Sequence, residues 1–368
     1  MKITITKQHL DRALRLSAKA VARDGTLPIV RNVLLSVGDG IASCVATNLD
    51  VGVRVQLSAK AERDGQVVCA PHLLGSFIAP LQDDDVVTIE TQDRSVLIRA
   101  KRSQATLPML DAADFPPLPS AESAETAVVV PVASFRDALS RVIPCVAKTE
   151  ARPELGGVFI ASDGEDIVLA ATDGFRLAEV RCTRTEGGFT DSVIVPASAV
   201  AELLSVLTDV PDDGVRMMVG DGQMFVRCGD VTIVSRLIAA TYPDYAQIIP
   251  SRGETVAVVS RGDMEKALRV AQTFAHRINS DMEMAVEKDT LTLSAASQES
   301  GTHTTTLSAT VEGGSQTLRL NPRYVLDGVS RCGSDSVEIH ITQPAAPVLI
   351  VPHDGATAYR YVVMPIRT

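Results

Sequence analysis

Short apolar runs recur along the chain and predict β-strands. They lie at residues 33–37, 86–90, 158–161 and 337–341. Runs of this length, rich in Val, Ile and Leu, are typical of strands in a sheet with a buried face. Gly-Asp-Gly triplets at 38–40 and 220–222 indicate tight turns between such strands. The first six residues alternate in the same way, so a strand is expected at the N-terminus.

A second spacing, of four and three residues, predicts amphipathic helices. In the window 7–23 the apolar or small positions are Leu10, Leu14, Ser17 and Val21, and the basic positions opposite are Arg12, Arg15, Lys19 and Arg23. In the window 261–277 the inward positions are Met264, Leu268 and Ala271, and the outward positions are Lys266, Arg269 and Thr273. Each helix is therefore expected to bury one face and present a basic face.

These patterns occur three times, about 125 residues apart. Ala46, Ala171 and Ala296 stand in matching strings at intervals of 125, and proline opens a second helical segment in each third of the chain. A period far longer than that of solenoid repeats indicates whole domains. We expect three homologous α+β domains, at residues 1–120, 121–250 and 251–368, each with antiparallel sheets outside and two helices inside.

Composition narrows the class of protein further. The 368 residues are 45% hydrophobic, and the six cysteines stand at least 25 residues apart. This spacing excludes CxxC metal or redox pairs, so buried reduced thiols are expected. We find no apolar run long enough for a membrane span and no signal-peptide core. A soluble cytoplasmic protein without cofactor or metal is the expectation.

The charge distribution is uneven. The net charge of −10 argues against a nucleic-acid partner, but the windows 7–23, 135–152 and 261–277 together hold 13 basic and 5 acidic residues. These windows carry a surplus of +8, which leaves −18 on the remainder. One surface is therefore expected to attract a polyanion while the rest repels it.

Two helices in each domain make six per chain, and a curved array of them must stop or close. With helices about 10 Å across, a ring of six leaves a bore of about 9 Å, twelve leave about 28 Å and eighteen about 47 Å. Twelve helices, from two chains paired head to tail, would admit a DNA duplex with water between. Eighteen would hold the duplex too loosely for counterions to be shared.

Four strings carry a resemblance to a known family. They are residues 26–32 (TLPIVRN), 171–178 (ATDGFRLA), 242–245 (YPDY) and 361–367 (YVVMPIR). Together they resemble the bacterial sliding clamps, the β subunits of the replicative DNA polymerase III. The resemblance implies a non-catalytic, ring-shaped homodimer that encircles duplex DNA without sequence preference. The implied partners are the polymerase catalytic subunit, the clamp loader, and other polymerases and repair proteins with clamp-binding motifs.

The resemblance also implies a hydrophobic pocket for short partner peptides. By matching positions, its residues are Leu155, Thr172, Gly174, Phe175, Arg176, Leu177, Pro243, Gln247, Ile248, Pro347, Val362, Val363, Met364, Pro365 and Arg367. Leu177, Val362 and Met364 should form one apolar cleft, and Arg176 could hold a carbonyl or carboxylate of the peptide. Phe175 stands where many relatives have His, and Gln247 where many have Arg, so peptide preference can differ.

Two further surfaces are expected. The candidate phosphate contacts are Lys19, Arg23, Lys148, Arg152, Lys266 and Arg269. Leu107 and Phe274 match positions that meet across the family's dimer interface. Pro153 and Glu154 stand where the family often has aromatic residues, which weakens the case for base or sugar stacking in that loop.

Two alternative functions are considered. Phe175 and Gln247 suggest an accessory clamp paralogue with altered partner or inhibitor binding. A hydrolase is the more remote alternative, because Asp50, Asp173 and Asp244 are carboxylates near turns. The histidines show no HxxxH spacing, no GxSxG or phosphate-loop motif occurs, and a triplicated chain gives no reason for one active centre.

Overall fold

The computed structural model describes residues 1–22, 27–120, 126–149, 151–210, 214–275, 281–355 and 358–366. The chain forms two compact units. The first comprises Met1–Arg136, Arg184–Thr190 and Ser198–Leu237, and the second comprises Asp137–Thr183, Asp191–Ala197 and Ile238–Thr368. Each unit takes part of residues 121–250, and the three predicted domain ranges stay a prediction.

The described residues contain six α-helices, two in each third of the chain. They are α1 (Lys7–Ser17), α2 (Pro71–Ile78), α3 (Val132–Val142), α4 (Ala197–Leu207), α5 (Arg261–Phe274) and α6 (Pro322–Val329). Proline opens α2 and α6, at a position where its missing N–H costs no helical hydrogen bond. The Ser260 hydroxyl caps α5 and the Asn321 side chain caps α6 by accepting backbone N–H groups of the first turn.

The buried helix faces agree with the predicted spacing, except that α1 ends at Ser17 and a 3-10 turn follows, so Val21 lies beyond the helix. On α1 the buried residues include Leu10, Leu14 and Ser17, and on α5 they include Met264, Leu268 and Ala271. Within the first unit α1 packs against the strands Ile41–Thr47 and Val51–Leu57. Within the second unit α5 packs against the strands Thr290–Ser297 and Gly301–Glu312 and against α6. The apolar stripe of each helix thus forms the core beneath its sheet.

The helical window predicted at 135–152 is wrong in its second half. α3 ends at Val142 and a 3-10 turn follows, because Pro144 lacks an N–H and cannot continue an α-helix. Lys148 and Arg152 therefore lie beyond the helix. They do not belong to a helical basic face.

The strands of the first half of the chain are β1 (Lys2–Thr6), β2 (Val33–Gly38), β3 (Ile41–Thr47), β4 (Val51–Leu57), β5 (Ala59–Arg63), β6 (Gly65–Cys69), β7 (Val86–Gln92), β8 (Ser95–Ala100), β9 (Ser103–Pro108), β10 (Thr126–Val130), β11 (Gly157–Asp163), β12 (Asp166–Thr172) and β13 (Arg176–Thr183). Those of the second half are β14 (Glu186–Gly187), β15 (Val193–Pro196), β16 (Val215–Gly220), β17 (Gln223–Cys228), β18 (Val231–Arg236), β19 (Thr255–Ser260), β20 (Met282–Glu287), β21 (Thr290–Ser297), β22 (Gly301–Glu312), β23 (Gln316–Leu320), β24 (Ser336–Ile341), β25 (Val348–Pro352) and β26 (Tyr359–Val363). Every apolar run predicted as a strand lies in one of them.

The strands of the first unit form two antiparallel sheets. One has the order β5-β1-β7-β8-β9, and the other has the order β14-β10-β16-β17-β18-β4-β3-β2-β6. Between β2 and β3, Asp39 and Gly40 both have positive φ, as do Asp221 and Gly222 between β16 and β17. This conformation is that of two-residue hairpin turns and favours Asp-Gly, so the predicted turns are confirmed.

The second unit is built on a single antiparallel sheet of twelve strands. Its order is β15-β11-β12-β13-β26-β25-β24-β19-β22-β21-β20-β23. Strands from the middle of the chain are thus joined to strands from its end at the β13–β26 pair. An equivalent pair, β18–β4, joins the middle of the chain to its beginning within the first unit.

All six cysteines are buried thiols outside any disulfide, as predicted. Burial raises the pKa of the Cys44 thiol to about 12, so this thiol is uncharged at neutral pH. Among the described helices, none combines the length and apolar character needed to cross a membrane.

Candidate functional site

The candidate site lies in the second unit, where β13 pairs with β26. Leu177 stands opposite Val362 in this pair, and the two side chains are 2% and 1% exposed. They belong to one buried cluster with Leu155, Tyr242 and other apolar residues. The two side chains therefore lie in the core at this strand pair, and this buried cluster is here called the floor. Met364 is half-buried, and an apolar cleft formed by the three residues stays a prediction.

An aromatic group supports this floor. Phe159, Tyr242 and Tyr245 pack together with ring centroids 5.1 to 6.1 Å apart. The 242–245 string was noted as a family signature, but Phe159 carried no signal in the sequence. Two of the three contacts are edge-to-face, a favourable geometry for aromatic pairs, so the rings add to the stability of the floor.

The turn before β13 presents an exposed aromatic side chain. The Asp173 carboxylate accepts the backbone N–H of Phe175 and of Arg176, each at 3.0 Å, and the Thr172 hydroxyl donates to the Arg176 carbonyl. Gly174 has φ +87°, which a side chain would strain. This turn leaves Phe175 63% exposed, and the Met364 N–H donates to its carbonyl at 2.8 Å.

Arg176 makes several contacts within the protein. Its guanidinium donates to Asp173 at 3.0 Å, to the Pro144 carbonyl at 2.6 Å and to Asp327, and it lies 4.5 Å from the ring centre of Tyr324. The side chain is only 7% exposed. Three of the five guanidinium N–H groups thus donate within the protein, so Arg176 ties the turn to α6 and to the Pro144 carbonyl, and its role toward a peptide stays a prediction.

A groove of about 410 Å³ opens above these residues. Its lining consists of Val146, Ala147, Lys148, Thr149, Asp173, Phe175, Arg176, Arg323 and Tyr324. Phe175 and Arg176 were predicted here, whereas Lys148 was predicted to contact DNA. Arg323 and Tyr324 were noted only as a helix start, and a search for exposed aromatic or basic residues next to that start would have found them.

The remaining predicted pocket residues differ in exposure. Thr172 and Val363 are buried, Pro243, Pro347 and Pro365 are half-buried, and Gln247 and Ile248 are exposed. The Gln247 amide donates to Asp244 at 2.6 Å. Arg367 lies outside the described residues. Peptide binding by this set stays a prediction.

The candidate DNA contacts fall into different environments. The Lys19 ammonium donates to Asp209 at 3.0 Å and to the Ser205 carbonyl, so its charge is already compensated within the first unit. Arg152 pairs with Glu154 at 3.1 Å. Arg23 lies outside the described residues.

Two candidates on α5 remain available to a polyanion. Lys266 and Arg269 are exposed, and their only described ion pairs are with Asp263 and Glu265 on the same helix. Exposed pairs of this kind contribute little and exchange readily. Both side chains can therefore turn toward phosphate at low cost.

The predicted interface residues lie beside two strand edges. Leu107 is half-buried on β9. Phe274 ends α5 and stacks on His303 of β22, with ring centroids 5.4 Å apart. A dimer contact at these positions stays a prediction.

Two of the three carboxylates considered for hydrolysis, Asp173 and Asp244, have structural partners. Asp173 accepts three hydrogen bonds in its turn from Phe175 and Arg176, and Asp244 accepts the Gln247 amide. Within the described ranges, no three His, Cys, Asp or Glu side chains come together as a metal site.

Three successive α+β segments joined by shared sheets form the architecture of a clamp, and comparison with known proteins agrees. Family models of the DNA polymerase III beta subunit match in order: the N-terminal domain at residues 1–119, the central domain at 129–244 and the C-terminal domain at 246–367. The chain belongs to the DNA polymerase III beta subunit family.

Individual relatives match over the whole length. The beta sliding clamps of Caulobacter vibrioides and Escherichia coli are each 28% identical to this chain, with 100% of both sequences covered. The crystal structure of the DNA polymerase III subunit beta from Pseudomonas aeruginosa is 25% identical, with a TM-score of 0.93 and 100% of both chains covered. A clamp from the same organism has been solved bound to griselimycin.

Proposed function

We propose that this protein is a sliding clamp, a homodimeric ring that encircles duplex DNA and tethers a polymerase through the groove beside Phe175. We propose its three domains to be residues 1–120, 121–250 and 251–368. The observation that carries the proposal is a pair of antiparallel strands, distant in sequence, that occurs twice within the chain and is here called a strand joint. Two further strands occupy equivalent positions in the repeat and are not paired with each other in the described sheets.

The two joints within the chain are copies of each other. At the first joint β4 pairs with β18, and Val55 stands opposite Val231. At the second joint β13 pairs with β26, and Val180 stands opposite Tyr359. Val180 follows Val55 by 125 positions and Tyr359 follows Val231 by 128. The repeat thus reproduces both the strands and their register.

The same displacement identifies the strands of a third joint. Adding 125 positions to the residues of β13 gives 301–308, which lie in β22. Subtracting 128 positions from the residues of β18 gives 103–108, which form β9. In the described sheets β9 is a terminal strand, and β22 pairs with β19 only through Ala309–Glu312, which leaves one edge of 301–308 without a strand. Open edges template pairing with another chain. β9 of one copy and β22 of a second copy complete the joint, and two such joints close a ring.

The interface candidates support this pairing. Leu107 lies on β9, and Phe274 packs on His303 in the open part of β22. A contact formed by two different surfaces closes a ring only at a particular rotation. The six helices per chain then supply the twelve that a bore of DNA width requires.

The exposed α5 cations support non-specific contact with DNA. Lys266 and Arg269 would attract phosphates electrostatically without reading sequence. Tethering by encirclement needs no catalytic group, so we propose a non-catalytic role in the cytoplasm. The partners would be the polymerase catalytic subunit, the clamp loader and other proteins with clamp-binding motifs. The exposed Phe175 leaves an accessory clamp with altered partner preference as the second candidate.

The test is retention on DNA of different topology. The clamp is loaded by a clamp loader onto nicked circular DNA, and half of the sample is then linearised with a restriction enzyme. We expect retention on the circle and rapid loss from the linear product, because a ring slides off free ends. Equal retention on both would rule out encirclement.

A further inference from the structure

We propose that the first unit carries a binding site for a phosphate monoester attached to a compact apolar group. The site is a groove of about 250 Å³ where residues 118–120 meet strands of the nine-stranded sheet, and it is here called the arginine groove. Its lining includes Arg54, Leu118, Phe225, Arg227, Thr232 and Val234. All of these residues belong to the first unit, so the inference goes beyond the proposed function and does not depend on it.

The strand register places two arginines on either side of a threonine. Thr232 on β18 stands opposite Arg54 on β4, and on its other side it stands opposite Arg227 on β17. Residues opposite each other in antiparallel strands share one face of the sheet. Neighbouring strands lie about 4.8 Å apart, so the two arginine Cα atoms are about 10 Å apart. Both guanidiniums can therefore reach one oxyanion placed over Thr232.

The groove carries excess positive charge among the residues that the structure describes. Within the described ranges, no ion pair involves Arg54 or Arg227. Arg227 also stands opposite Arg216, and like charges directly opposite each other are unfavourable. Arg216 is partly offset by Glu186 at 3.6 Å. Three arginines and one glutamate leave a charge of +2, which matches a phosphate monoester with about −1.5 to −2 charges at neutral pH.

The second joint provides an internal comparison. The repeat displacements of 125 and 128 positions carry Arg54 to Glu179 and Thr232 to Arg360. Glu179 and Arg360 also stand opposite each other, and they form an ion pair. Strand pairing at this place in the repeat therefore does not require an arginine at the position of Arg54. The positive charge is a property of the first joint alone of these two, which supports a ligand role there.

The apolar side of the groove is fixed by close packing. A Cβ on Gly52 would lie 2.2 Å from the Leu118 Cδ2 atom, so a larger residue at position 52 would displace Leu118 from β4. Phe225 and Val234 are buried beneath the groove. The volume lies below the roughly 300 to 1,000 Å³ of pockets for drug-sized ligands. A group of the size of a phenyl ring is therefore the expected apolar part.

The test is isothermal titration calorimetry of the full-length protein with phenyl phosphate. We expect saturable binding with a dissociation constant of about 1 mM or below. Inorganic phosphate lacks the apolar group and phenol lacks the charge, so each should bind at least about tenfold more weakly. The double variant Arg54→Gln and Arg227→Gln should also bind phenyl phosphate at least about tenfold more weakly than the wild-type protein.

The matched control removes two other exposed arginines of the first unit. The variant Arg94→Gln and Arg99→Gln changes the β7–β8 hairpin in the five-stranded sheet and lowers the net charge by the same amount. It should bind phenyl phosphate as the wild-type protein does. Size-exclusion chromatography checks that both double variants keep the wild-type elution, so a loss of binding is not a loss of the fold.

Acidic residues that neighbour the groove in sequence need a control of their own. Glu122, Glu125, Asp212 and Asp213 lie outside the described residues. The variant Glu122→Gln, Glu125→Gln, Asp212→Asn and Asp213→Asn removes their charges together. If this variant binds phenyl phosphate and the wild-type protein does not, the acids neutralise the arginines and the inference is wrong.

The remaining outcomes are equally decisive. The site is overturned if the wild-type protein shows no saturable binding of phenyl phosphate by about 10 mM, or if the variant Arg54→Gln and Arg227→Gln binds it with wild-type affinity. Equal binding of phenol would place the ligand away from the arginines, and equal binding of inorganic phosphate would remove the apolar part. Retention of the loaded clamp on circular DNA needs no ligand in this groove, so either proposal can fail while the other stands.

Discussion

The third strand joint predicts a specific cross-link between two copies of the chain. Continuing the repeat, Ser103 lies 128 positions before Val231, and Thr305 lies 125 positions after Val180. These two residues should therefore stand opposite each other when β9 of one copy pairs with β22 of the next. The double variant Ser103→Cys and Thr305→Cys replaces two small side chains at that position.

The geometry sets the expected result. Residues directly opposite in an antiparallel pair have Cα atoms about 4.5 to 5.5 Å apart, within the range of about 4.4 to 6.8 Å that a disulfide spans. Diagonal neighbours on the same face are about 7 to 8 Å apart and fall outside it. Mild oxidation should thus link most chains into a species of about 78 kDa, twice the 39.1 kDa of one chain.

The assay is a non-reducing gel after treatment with diamide. The six native cysteines are buried and should not contribute. The matched control is Ser103→Cys with Thr304→Cys. Burial alternates along β22, with Thr304 exposed and Thr305 half-buried, so the two residues point to opposite faces and the control should stay monomeric on the gel. A dimer band of equal strength in both variants, or in neither, would refute the predicted joint.

Four further results are expected. Phe274→Glu places a charge against His303 at the joint and should give monomers by sedimentation velocity, whereas Phe274→Leu should stay dimeric; a dimeric Glu variant would contradict the interface. Deleting residues 364–368 removes the Met364 N–H to Phe175 bond and should abolish partner-peptide binding in fluorescence anisotropy without changing the dimer mass; unchanged binding would place the peptide site elsewhere. Arg176→Ala removes the cation that Asp173 and Asp327 share, leaving Asp327 paired with Arg331 at 3.6 Å, and should lower the free energy of unfolding by about 3 kcal/mol in urea titration, against little change for Arg252→Ala at an exposed pair. Lys266→Gln with Arg269→Gln should weaken the association of the unloaded clamp with duplex DNA and flatten the salt dependence of that association, and a variant with wild-type affinity would remove α5 from the DNA contact.

The sequence by itself determined the elements and their repetition. Helix faces such as Leu10, Leu14 and Ser17, and turns such as Asp221-Gly222, follow from spacing and from backbone preferences of single residues. These are local properties, so they can be recognised without knowing what packs against them. The period of 125 residues likewise needs only the chain to be compared with itself, and it already implied three related domains.

Tertiary structure alone decided which distant residues meet. The pairing of Leu177 with Val362 spans 185 positions, and here only the family resemblance suggested it, because strand register depends on partners that spacing does not reveal. Arg176 is occupied by Asp327 and the Pro144 carbonyl, both distant in sequence, so its structural role was invisible. Lys148 was assigned to a helix that Pro144 ends, and the loop instead carries it to the groove where Arg323 arrives from α6. A side chain's charge is written in the sequence, whereas its compensation by other charges depends on the folded arrangement.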